Sequence, residues 1–170
     1  MEGERVREIE LRATVWVPHE PARVWTVCST KTGLEGWWSP KELRTRVLKW
    51  ELRRGGGIVL RVRYLPALLT PGSGEACRAA GVPVVLTMRG SVREVVEQRR
   101  MAFGLALDLG SGGDETETVT TLELTPEGSG TRITVVERGA QTPHGVALGP
   151  KILEGRLERI ARALEPAAPR

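Results

Sequence analysis

Between residues 153 and 164 the apolar positions Leu153, Leu157, Ile160 and Leu164 fall four, three and four apart. With Arg156, Glu158, Arg159 and Arg162 filling the other positions, this spacing predicts an amphipathic helix of about ten to fifteen residues, closed by Pro166. No other segment offers a helix of that length. Most of the remaining chain reads with a period of two, and that contrast restricts the fold. An extended sheet with one apolar face must bury it, and only the terminal helix is long enough to cover it.

The alternation is clearest from Val6 to Val17, where Ile9, Leu11, Ala13, Val15 and Val17 are apolar and Glu8, Glu10, Arg12 and Thr14 fill the even positions. Trp16 breaks the polar set: it is either a lone exposed ring or a contact for a partner. The turn Pro18-His-Glu-Pro21 then leads into a short amphipathic helix over Ala22 to Ser29, with Pro21 in the first turn, where a missing N–H costs little. A second short helix covers Lys31 to Trp38 and stops before Pro40.

Leu43 to Leu52 and Ile58 to Leu65 read as a hairpin turning through Arg53-Arg-Gly-Gly-Gly57. Pro66 to Val82, with Cys77, reads as an irregular loop or short helix. Pro83 to Glu97, Arg100 to Leu109, Glu115 to Thr125 and Thr131 to Arg138 are four further extended stretches, and Gly139 to Pro150 reads as a connection. The links at Gly110-Ser-Gly-Gly113 and Pro126-Glu-Gly-Ser-Gly130 are short enough to favour antiparallel neighbours. The expected fold class is therefore α+β: a curved antiparallel sheet of about seven strands gripping a long C-terminal helix, with two short helices after the first strand.

At 170 residues, 40% hydrophobic and 27% charged, residues 1–170 fit one globular domain with a real core. No apolar run approaches the roughly 18–20 residues of a membrane span, and the charged opening MEGERVREIE is unlike a secretion signal, so the expected location is cytoplasmic. Cys28 and Cys77 lack the spacing of a metal site or disulfide framework, and neither a metal nor an organic cofactor is expected. The net charge of +4 arises from alternating Arg and Glu instead of a basic block, which argues against nucleic acid as a partner.

Four segments resemble the START-like, or SRPBCC, helix-grip superfamily that includes the birch pollen allergen. Within it they are nearest the branch of polyketide cyclase-like proteins and homologues of the heat-shock-protein-90 ATPase activator. Ala13-Thr-Val-Trp-Val-Pro-His-Glu-Pro-Ala-Arg-Val-Trp25 is similar to the family's strand-turn-helix opening, and Gly33-Leu-Glu-Gly-Trp-Trp38 to its second-helix signature. Arg89-Gly-Ser-Val-Arg-Glu-Val95 and Gly130-Thr-Arg-Ile-Thr-Val135 are similar to two of its strands. The resemblance implies a cavity for a small hydrophobic or lipid-like ligand between sheet and helix, with Gly149 and Gly155 leaving room for it. It implies little about which ligand, because fold alone does not settle function.

In such a topology Trp37 and Trp38 stand at the mouth of the cavity, either as plugs sealing the end of the sheet or with one ring as wall and the other packed near Trp25 and Cys28. Leu60, Val62, Met88, Phe103 and Leu105 are expected on the inner face, facing Leu153 and Leu157 of the helix. Leu48, Trp50 and Leu52 read as inward, which carries Arg44 and Arg46 with them, and Ile133 and Val135 likewise carry Glu137. Buried charge is costly unless paired, so Arg46 either pairs with Glu137, holds an acidic ligand head, or lies on a strand end curling into solvent.

His19 and His144 lie in a turn and a loop with no nucleophile at a suggestive spacing. Three functions follow. The first is a binder of an apolar small molecule. The second is a cyclase- or hydrolase-like enzyme in which Arg46, Tyr64 or Glu137 supplies polar or acid/base help. The third is a chaperone-cofactor-like module for a protein partner, or a homodimer, using the sheet's outer face or Trp16.

Overall fold

The computed structural model describes residues 7–40, 43–64, 85–108, 117–141 and 143–167. The Pro66–Val82 segment with Cys77 and the Gly110–Gly113 link lie outside them. Strand β1 (Arg7–Val17) is followed by helices α1 (Pro21–Ser29) and α2 (Lys31–Trp37). Six strands come next: β2 (Leu43–Trp50), β3 (Gly57–Tyr64), β4 (Val85–Val96), β5 (Arg100–Leu107), β6 (Thr118–Glu127) and β7 (Gly130–Gln141). Helix α3 (Pro143–Leu164) ends the fold. All seven strands form one antiparallel sheet in the order β1-β7-β6-β5-β4-β3-β2, the α+β helix-grip arrangement expected from the alternation.

β1 skips five strands in sequence to pair with β7, in register from Arg7 opposite Gln141 to Val17 opposite Thr131. The first and last thirds of the chain are thereby joined. β2 is the opposite edge. Two register shifts, between Val47 and Lys49 on β2 and between Val92 and Glu94 on β4, add a residue to one strand against its neighbour. Such bulges bend a strand and increase its twist, which helps the sheet curl around a helix.

The concave face carries the core: Ile58, Leu60, Phe103, Leu105, Leu122, Ile133 and Val135 are buried with Leu153, Leu157, Ile160 and Leu164 of α3. Helix α3 is longer than its apolar spacing indicated and contains Pro150 in its interior. A proline there removes one backbone donor, and Pro150 sits on the exposed side of the helix. His144, read as a loop residue, falls in this helix's first turns. Gly149 does not leave room for a cavity: a Cβ at this position would lie 2.1 Å from Leu11 Cδ1, so α3 is pressed against β1 there.

The α1–α2 hairpin closes one end of the sheet. Its crossing is equally tight, since a Cβ on Gly33 would fall 1.8 Å from the Val27 carbonyl oxygen. Thr30 caps α2, its Oγ1 accepting from the Gly33 N–H at 3.1 Å. Cys28 is buried in this hairpin, and burial pushes its thiol above the ordinary cysteine range, as befits a packing residue and not a nucleophile.

Candidate functional site

The two short helices end in carbonyl groups with no partners of their own, and the fold supplies donors to each from elsewhere in the chain. At the end of α1, Trp37 Nε1 donates to the Cys28 carbonyl at 3.2 Å and Trp50 Nε1 to the Ser29 carbonyl at 2.7 Å. At the end of α2, two arginines of α3 do the same: Arg159 Nε donates to the Trp37 carbonyl at 3.0 Å and Arg156 Nε to the Trp38 carbonyl at 3.1 Å. Cations at a helix C-terminus also complement its dipole.

The two adjacent tryptophans therefore have separate places. Trp37 is fully buried and packs against α1 as a plug, while Trp38 reaches the interior, its ring 5.7 Å from that of Phe103. Trp50 also meets Phe103, at 5.6 Å and edge to face, so three rings line one stretch of the inner face.

Above Trp38 lies the one buried ion pair among the described residues. The Arg156 guanidinium stands 3.9 Å from the Trp38 ring centroid, and its Nη1 donates to Glu137 Oε1. Thr120 Oγ1 donates to the same oxygen at 3.3 Å. Glu137 and Arg156 are each 8% exposed, and no buried side-chain polar atom among the described residues lacks a partner. Burial, with Arg159 nearby adding to it, lowers Arg156 to about 9, so the guanidinium stays charged at neutral pH beside a carboxylate and over an aromatic face.

Glu137 is thus inside, as its phase with Ile133 and Val135 indicated. Its partner is Arg156 and not Arg46. The bulge in β2 puts Leu43, Thr45 and Val47 inward, restores the inward phase at Trp50, and turns Arg44, Arg46 and Leu48 outward. Sequence alternation counted back from Trp50 crosses that extra residue and so inverts the face of everything before it. Arg156 was assigned to the helix's polar face, yet it lies three residues after Leu153 and four before Ile160. That places it on the apolar stripe, and an opposite charge in apolar phase on β7 was the available signal.

Leu60, Val62, Phe103, Leu105, Leu153 and Leu157 are buried on the two sides of this interior. Leu86 and Met88 of β4 are half-buried against it. Tyr64 ends β3 opposite Leu43. The exposed Trp16 is accounted for structurally: its Nε1 donates to the Glu127 carbonyl at 3.0 Å and its ring covers Gly130. Among the described residues no cluster of His, Cys, Asp and Glu is arranged to hold a metal, and no helix is long and apolar enough to cross a membrane.

The family described as "Activator of Hsp90 ATPase homolog 1-like protein" matches residues 18–165. The chain belongs to this family. It carries the START-like fold of solved bacterial structures, among them protein CV1439 from Chromobacterium violaceum, with a TM-score of 0.70 and 21% identity over 92% of this chain and 97% of that one. A protein from Arthrobacter aurescens matches with a TM-score of 0.71 and 17% identity over 96% and 92% of the two chains. Protein Ms6760 from Mycobacterium smegmatis does so with 0.68 and 17% over 94% and 96%. At these identities the likeness is one of fold. Among curated proteins none matches the chain.

Proposed function

We propose that this protein binds a small, largely apolar molecule carrying one polar group, held between the inner face of the sheet and α3. The observation that carries the reading is the Glu137–Arg156 pair, buried on the apolar concave face with Trp38 stacked against it. A buried ion pair contributes little or nothing to stability relative to apolar residues of the same volume, so its presence in a core suggests a use. A guanidinium and a carboxylate present donor and acceptor chemistry to a ligand, and the half-buried Leu86 and Met88 add apolar surface to the same core.

The test is native mass spectrometry of freshly purified protein, compared with its denatured mass. A small molecule that leaves on unfolding supports the reading, and its loss from Glu137→Leu/Arg156→Met assigns the polar contact. If the parent protein carries no adduct and an environment-sensitive apolar dye gains no fluorescence in its presence, the reading fails.

A further inference from the structure

We infer that the outer face of the β2–β3 hairpin is a second binding site, for a compact, multiply charged anion of the kind a phosphorylated small molecule presents. In the register of the two strands Arg44 stands opposite Arg63 and Arg46 opposite Arg61, all four side chains exposed on the convex side of the sheet. Directly opposed like charges destabilise a strand pair, and here two such pairs are adjacent. They form an array of guanidinium groups rooted about 5 Å apart across the strands and about 7 Å apart along them.

Among the described residues six other arginines of the strands have carboxylate partners. Arg12 and Arg138 meet Glu10, Arg89 meets Asp108, Arg93 meets Glu117, Arg100 meets Glu94 and Glu123, and Arg132 meets Glu127. Among the described residues Arg44, Arg46, Arg61 and Arg63 have no carboxylate partner. Glu35 of α2 lines the same cleft, and its Oε1 accepts from the Val47 backbone N–H at 2.8 Å.

The shape selects among anions. Glu35, Thr45 and the four arginines bound a half-enclosed cleft of about 490 Å³, the size of a small-molecule site. A flat membrane surface does not enter such a cleft. Single-stranded nucleic acid is bound largely by stacking on rings, and the exposed Trp16 stands on β1, at the opposite edge of the sheet. Guanidinium forks match phosphate oxygens in pairs, so two or more linked phosphates are the chemistry that fits. The four arginines project from the face of the sheet opposite Thr45 and Val47, and the assignment does not depend on what the interior binds.

Inorganic triphosphate is the probe, titrated calorimetrically into the full chain at fixed ionic strength, with Arg12→Ala as the control. Saturable one-to-one binding is expected in the parent and control, weakened roughly tenfold or more in Arg46→Glu and in Arg61→Glu. In the absence of anion each reversal turns a like-charge pair into an opposite-charge pair and raises the thermal midpoint by about 1–3 °C, which shows that lost binding is not lost folding. Undetectable triphosphate binding, or equal affinity in Arg61→Glu, overturns the assignment. So does tighter binding of phosphatidylserine vesicles, a single-stranded oligonucleotide or polyglutamate, each of which would move the surface to another class of partner.

Discussion

Arg156 gives up most of its hydration to sit under the sheet, and what it receives in return is a carboxylate, a carbonyl and a ring face. Removing one member of such a pair leaves the other charged and unpaired, which costs about 3–5 kcal/mol, whereas replacing both by apolar residues of similar volume is often neutral or stabilising. Arg156→Met and Glu137→Leu are each expected to lower unfolding stability by about that amount, and the double variant to regain most of it. Urea denaturation of the four proteins measures the coupling. Additive losses would mean that the two side chains do not depend on each other. The sequence carried half of this pair: Glu137 was legible because it shares the phase of Ile133 and Val135, but Arg156 was hidden by its charge, which made it look like part of the solvent face of an amphipathic helix. Trp37 and Trp38 show a similar limit. Their adjacency announced a special site, while which ring plugs and which reaches inward depends on where the end of α1 lies in space.

The element most exposed to misreading was β2, and its edge position explains why. Unpaired backbone donors on an edge strand invite association with other chains, and here α2 covers one of them through Glu35. Glu35→Ala is expected to speed amide exchange at Val47 and to cost about 1–2 kcal/mol, with protection in β6 falling only by the global loss. Hydrogen-exchange mass spectrometry or NMR reads the difference, and unchanged Val47 exchange would show that the edge is protected by something else. The hairpin turn adds a pH dependence. Glu51 Oε2 accepts the Gly57 N–H at 2.8 Å, and that bond, helped by Lys49, holds the carboxyl below its ordinary value of 4.5. A carboxyl whose folded value is depressed stabilises the fold above its unfolded value, and the contribution disappears as pH falls through the folded one. Glu51→Gln is therefore expected to be less stable than the parent at pH 6 and to converge with it toward pH 2, as followed by thermal unfolding across that range. A gap that stays constant would assign Glu51 a purely geometric role. Alternation made all seven strands legible because a period of two survives most substitutions. It failed where one extra backbone residue reversed the phase, and a bulge leaves no composition of its own.

At the scale of the whole molecule the decisive contact is between the two ends of the chain, where α3 lies across β1 and β7 with its apolar stripe on the concave face. The periodicity of Leu153, Leu157, Ile160 and Leu164 made the helix legible, but its first turns were not, because Gly139 to Pro150 reads as a connection without that period. Gly149 and Pro150 are tolerated for different reasons: Pro150 faces solvent, and Gly149 lets the helix backbone come close to the Leu11 side chain. A Cβ at Gly149 would stand 2.1 Å from Leu11 Cδ1, closer than any real contact, so either the leucine changes rotamer or the helix lifts off the sheet. Gly149→Ala is accordingly expected to cost about 1–3 kcal/mol even though alanine is the better helix former. In a Leu11→Val background, where that methyl is gone, the same substitution should cost much less or stabilise by up to about 1 kcal/mol, because helix propensity then acts unopposed. Guanidinium unfolding of the four proteins reads the coupling. An equal penalty in both backgrounds would mean that the helix does not press on β1 at this point and that the grip is set further along, by Leu153 to Leu164.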